Sequence, residues 1–139
     1  MKEENEVCNF KENNICLEVT EKEAFSLDEK TFELLNILKD MGLRLAIDDF
    51  SMGQTSINYL KYNLLDIIKI DGVLVRGVAS SSNCREIISS VAELAKSLSL
   101  TIIAEFVETE ESKECLHKIG CDYYQGYLYS AAKPLEEDK

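Results

Sequence analysis

Five short apolar runs set the terms on which this chain can fold. They span residues 15–21, 43–49, 64–70, 100–105 and 121–125, and each carries a charged or polar side chain at or near its carboxyl end. Between them lie stretches of helical spacing. Phe32, Leu34, Leu35, Ile37, Leu38 and Met41 recur before Gly42, and Ile57, Leu60 and Tyr62 mark a shorter segment. Ile87, Ile88, Val91, Leu94, Ala95 and Leu98 share one expected helix face, and residues 109–119 form a last helix closed by Gly120. Ser26 or Asp28 can cap the first helix, and the turn Ser80-Ser81-Ser82-Asn83 the third. Short buried strands alternating with amphipathic helices predict an α/β fold. It would have about five parallel strands in the order βαβαβαβαβ, with right-handed crossovers.

The sharpest of these runs is Leu43-Arg44-Leu45-Ala46-Ile47-Asp48-Asp49, which breaks into Phe50-Ser51-Met52-Gly53. Two acids where strand gives way to loop can face a site without entering the core, although an acidic pair before a turn is also a common solvated strand end. The carboxyl ends of parallel strands share one edge, so scattered groups converge there: Glu18, Asp48 with Asp49, Lys69, Glu105 and Gln125. Lys69, between Ile68 and Ile70, would lose its hydration in a buried strand. It should therefore face carboxylates or lie on a solvated sheet edge. Clustered carboxylates repel one another unless a cation neutralises them. Oxygen-only donors favour Mg²⁺ or Mn²⁺ over zinc, and the Asp48-Asp49 pair could bridge two ions of the kind that phosphodiester hydrolysis uses.

At 139 residues the chain is one domain at most, well short of the ~250 residues of a complete (β/α)₈ barrel. Residues 1–14 are polar and read as a poorly structured lead-in or the end of a helix, with the domain running over 15–139. A net charge of −11 without a basic cluster argues against nucleic-acid polymers and anionic membranes as partners. No apolar run is long enough to span a bilayer, and the acidic start does not resemble a secretory signal, so a cytoplasmic location is expected. Five cysteines without a Cys-x-x-Cys pair argue against a disulfide framework. Cys115, His117 and Cys121 are close enough in sequence to suggest zinc, but a fourth ligand is not evident.

The motifs Leu17-Glu18-Val19-Thr20-Glu21, Ile47-Asp48-Asp49-Phe50, Ile68-Lys69-Ile70-Asp71, Ala104-Glu105-Phe106-Val107-Glu108-Thr109 and Tyr124-Gln125-Gly126-Tyr127-Leu128 together resemble successive motifs of EAL-domain cyclic di-GMP phosphodiesterases, in order and spacing, over residues 15–135. The resemblance implies the C-terminal portion of a TIM-like barrel that hydrolyses cyclic di-GMP to pGpG with two Mg²⁺ or Mn²⁺ ions. It implies that Glu18, Asp48, Asp49 and Glu105 are metal ligands and that Lys69 engages the nucleophilic water. Glu108 would brace the loop after Asp49, and Gln125 would hold the site or the substrate. The chain departs from the family pattern in four places. The Glu-Ala-Leu motif and the Asn-bearing strand ahead of Glu18 are absent, Ser51-Met52-Gly53-Gln54 replaces Gly-Thr-Gly-Tyr, and Phe106 stands where Gly is usual.

Three other readings compete with a phosphodiesterase. One is a non-catalytic module that senses cyclic di-GMP or binds a protein. In that class, exposed sheet edges at the first and fifth strands predict a homodimer or pairing with another chain. Another is a flavodoxin-like receiver, but there the acidic pair would sit on the first strand and an Asp, not Lys69, on the third. The last is a cut barrel whose acids are vestigial.

Overall fold

The computed structural model describes residues 15–20, 28–50 and 54–131, so the lead-in 1–14, the cap candidate Ser26 and the loop residues Ser51, Met52 and Gly53 lie outside the described residues. Five parallel strands alternate with helices in an α/β fold. The chain divides into two compact units, Met1–Ile68 and Lys69–Lys139, and the division falls inside the third strand.

In the first unit the elements are β1 (Cys16–Thr20), α1 (Glu29–Asp40), β2 (Arg44–Asp48), α2 (Gln54–Lys61) and the start of β3 (Ile67–Ile70). The strand order is β1-β2-β3, with Glu18 opposite Ala46, Thr20 opposite Asp48, and Ile47 opposite Ile68. Leu45, Ala46 and Ile47 are buried, as an interior strand of β-favouring residues should be. Asp28 caps α1 by accepting from the Thr31 N–H at 2.8 Å. Met41 and Gly42, the latter at φ 93°, then turn the chain into β2.

Two expectations fail in this unit. The third strand does not begin at Leu64. Leu64 and Leu65 are buried, but the turn through Asn63 at φ 56° is closed by the Leu64 N–H on Tyr59 O, and pairing starts only at Ile67. The apolar stripe of α1 is not a buried face either. Among the described residues no α1 residue is buried, and Leu34, Ile37 and Met41 are about half exposed. Near the start of α1 the half-buried Phe32 packs edge-on against Tyr62, ring centroids 5.5 Å apart, and at its end the anchor is polar. Asp66 accepts from Lys39 Nζ at 2.8 Å and from the Leu45 N–H at 2.9 Å, joining the end of the helix to the start of β2.

The second unit holds the rest of β3, then α3 (Gly72–Gly77), α4 (Ser82–Ser97), β4 (Thr101–Ala104), α5 (Glu110–Ile119) and β5 (Tyr123–Tyr124), with strand order β3-β4-β5. Ser81 caps α4 and Thr109 caps α5, each accepting a backbone N–H from three residues on. The buried face of α4 is Ile88, Val91, Ala92 and Ala95. Ile87 and Leu98, expected on that face, are exposed, because the inward stripe is narrower than the run of apolar residues. The single turn α3 was not anticipated. Its β-branched residues Val73 and Val75 favour strands, and the helix is set by Asp71, whose side chain accepts from the Val73 N–H.

Candidate active site

Each unit carries acidic strand ends, and the local geometry of the two sets differs. In the first unit β2 delivers Asp48 half-buried, with its Oδ1 accepting from the Asp49 N–H at 2.8 Å. Asp49 follows at φ 52°, in the left-handed region that Asp tolerates better than most residues. Its side chain is exposed, and Phe50 behind it is buried and pins the turn. Glu18 sits at the level of Ala46 on β1. Strand side chains alternate, so Glu18, Ala46 and Asp48 share one sheet face, with Glu18 two residues short of Asp48. This unit thus presents three carboxylates toward the carboxyl ends of its strands, a donor set that fits a hard divalent cation, while the cysteine of β1, Cys16, stands at that strand's amino end, level with Arg44.

In the second unit every residue of β3 is buried. Lys69 is 4% exposed, and its Nζ lies 2.7 Å from Oε1 of Glu105, itself 8% exposed. The solvated-edge reading of Lys69 is therefore wrong. The lysine sits in an interior strand beside a carboxylate, because only an opposite charge offsets the cost of taking an ammonium out of water. Glu105 stands one residue beyond β4, where the Glu105 N–H still reaches Ile70 O. Phe106 then turns to φ 57° and interrupts the strand.

The chain recovers through Gln125 and Gly126. The Gln125 N–H donates to Ala104 O, and Gln125 O accepts from the Val107 N–H, at 2.8 and 2.9 Å. Gly126 lies so close to the Val107 backbone that a Cβ there would run into it, so this crossing requires glycine. A cavity of about 480 Å³ opens beside this crossing, lined by Glu105, Phe106, Tyr124, Gln125 and Tyr127 among others. Of the residues singled out in the sequence, the second unit brings Glu105, Gln125 and Lys69 into one neighbourhood. Glu108 stands to the side, its carboxylate 3.8 Å from Arg76 Nε. The loop it was expected to brace lies outside the described residues.

The zinc reading of Cys115, His117 and Cys121 finds no support among the described residues. His117 Nδ1 is 3.2 Å from the Tyr124 hydroxyl, and none of the three belongs to a metal-holding cluster. Burial, reinforced by the Asp122 carboxylate, pushes the Cys121 thiol up to about 12, so it is protonated at neutral pH and a poor ligand.

Sequence reasoning missed Arg76, which no motif marked. Only its place four residues after Gly72, on a helix that was itself unforeseen, could have pointed to it. Asp66 was also missed. Two hydrogen bonds make it a structural carboxylate rather than a ligand candidate.

Comparison with known proteins gives concordant results. The family model described as EAL domain matches residues 8–132. The chain is 42% identical over 123 residues to the probable cyclic di-GMP phosphodiesterase PdeA of Escherichia coli K12, covering 88% of this chain and 17% of that protein. It is 39% identical over 125 residues to the cyclic di-GMP phosphodiesterase PdeA of Borreliella burgdorferi, covering 88% of this chain and 18% of that one. The solved c-di-GMP complex of the PaMucR phosphodiesterase superposes with a TM-score of 0.85 at 33% identity, over 99% of this chain and 56% of the other. The manganese/cy-diGMP complex of Klebsiella pneumoniae BlrP1 gives 0.79 at 33% identity, over 88% and 31%. The chain thus spans less than a fifth of these two curated relatives.

Proposed function

We propose that this chain, which belongs to the EAL-domain family, carries the carboxyl-terminal strands of a cyclic di-GMP phosphodiesterase that hydrolyses its substrate to pGpG. The observation that carries this reading is the buried Lys69–Glu105 pair. An ion pair is expensive to bury, and one at adjacent strand ends beside a cavity is better accounted for by chemistry than by stability. Relatives described as cyclic di-GMP phosphodiesterases make the substrate class specific.

In this reading Glu18, Asp48, Asp49 and Glu105 hold two divalent cations, Mg²⁺ or Mn²⁺. Solved relatives described as manganese and calcium complexes with cy-diGMP support a divalent requirement. Bound there, the cations supply Lewis acidity and lower the pKa of coordinated water. The chain's own residues do the rest. Lys69 has three N–H donors, so it can hold the Glu105 carboxylate and also orient the attacking water or stabilise phosphate charge. Gln125, exposed at the cavity wall, offers an amide to the substrate. Glu108, 3.8 Å from Arg76 Nε, is the residue to which the family pattern assigns the bracing of the loop after Asp49. A net charge of −11 repels an anionic dinucleotide, so binding depends on the cations.

Two further features belong to the same reading. β1 ends the strand order of its unit with Leu17 37% exposed, which supports pairing with another chain or copy along that edge. A cytoplasmic location belongs to this reading because its substrate is a nucleotide; among the described residues no helix is long and apolar enough to cross a membrane.

The test is to incubate the chain with cyclic di-GMP and Mg²⁺ or Mn²⁺ and to follow pGpG by chromatography, with Lys69→Ala as control. Product above the control supports the phosphodiesterase. Saturable binding of cyclic di-GMP with no product would favour a sensing module, and neither binding nor product would refute both.

A further inference from the structure

Phe106 has no role in the chemistry described above, yet its backbone is in an unfavourable conformation. A bulky side chain at φ 57° is an outlier that the surroundings must hold in place. Such strain clusters where a side chain is aimed at a ligand. The surroundings here are specific. A Cβ on Gly72 would run into the Phe106 ring, so the glycine is what lets the ring settle against α3. The Arg76 guanidinium lies over the same ring, 4.8 Å from its centroid, and is in turn steered by Glu108. Gly72 and Arg76 are four residues apart on α3, so they cover the ring from one side. The ring is still 45% exposed, and it forms part of the wall of the cavity that Glu105 and Gln125 also line.

We propose that Phe106 is a stacking platform for a guanine base of the dinucleotide, fixed from behind by Gly72 and Arg76 and presented to the cavity beside Glu105. This rests on the phosphodiesterase reading and adds the element that recognises the base. A planar heteroaromatic suits the cavity, whose aromatic walls from Phe106, Tyr124 and Tyr127 are interrupted by the polar Gln125 and Ser130. Stacking also suits an acidic chain, because the attraction between a base and an aromatic face does not require a basic groove.

The sequence has no tryptophan, so Phe106→Trp places a sole indole reporter on the cavity wall. Titration with cyclic di-GMP in Mg²⁺ should quench its fluorescence to saturation, at an affinity close to that of the unsubstituted chain measured by calorimetry. Phe106→Leu, which keeps an apolar side chain against Gly72 but has no π-face, should lose affinity by about tenfold or more. Should the Leu variant fail to fold, the Trp titration decides alone. If the unsubstituted chain binds while the indole is not quenched, or the folded Leu variant binds within twofold, the platform is refuted and the phosphodiesterase reading stands. If the unsubstituted chain does not bind cyclic di-GMP, both are refuted.

Discussion

The acidic turn of the first unit and the ion pair of the second handle carboxylates in opposite ways. Asp48 and Asp49 end a strand at a half-buried and an exposed position, where water shares the cost of their charge. Glu105 is buried, and its charge is met at 2.7 Å by Lys69, also buried. A carboxylate at the first place can be altered with little effect on the fold and a large effect on a bound cation. At the second place, charge, fold and chemistry are coupled. Function and stability should therefore separate cleanly in one unit and not in the other.

The largest expected effect is in the second unit. Lys69→Ala leaves the Glu105 carboxylate buried without its ammonium partner and should cost about 3–5 kcal/mol, read as a fall in the denaturant midpoint. Replacing both members with apolar residues, Lys69→Met with Glu105→Leu, should recover much of that loss and no activity. A Lys69→Ala chain as stable as its parent would break the contrast. Next is Gly126→Ala, whose methyl meets the Val107 backbone. It should cost about 1–3 kcal/mol, with a lower thermal midpoint.

Much of this architecture was legible in the sequence because the acids interrupt apolar runs. Ile47-Asp48-Asp49, Ile68-Lys69-Ile70 and Ala104-Glu105 each announce a strand end by an abrupt change of polarity, and the structure has strands at all three places. What could not be read depends on contacts distant in sequence. Asp66 looks like any acid in a turn until Lys39 and the Leu45 N–H are found on it. Val73 and Val75 have strand propensity, and the Asp71 cap overrides it in favour of α3. The exposed stripe of α1 and the left-handed turn at Phe106 cannot be inferred from periodicity, which records that residues are apolar and not what meets them.

A pH-dependent effect sharpens the second unit's side of the contrast. The Cys121 thiol stands at about 12 in the folded chain against an ordinary 9.0, raised by burial. A raised folded pKa contributes stability that is complete below the ordinary value and disappears as pH climbs to the folded value. The stability difference between the parent chain and Cys121→Ala should therefore be constant up to about pH 9 and shrink between 9 and 12, read from thermal midpoints across that range. A difference that does not change with pH would mean the thiol is not buried as described.

The smallest expected change in stability is in the acidic turn. Asp48→Asn and Asp49→Asn should each shift stability by no more than about 0.5 kcal/mol, since both sites are outside the core and Asn accepts the same backbone geometry. Their effect on cation binding should be total. Manganese titration followed by electron paramagnetic resonance tests this most directly, comparing the parent chain with the Asp48→Asn, Asp49→Asn double variant at matched thermal stability. The account predicts saturable Mn²⁺ uptake by the parent and none by the variant. Equal uptake by both, or none by the parent at millimolar Mn²⁺, would contradict it.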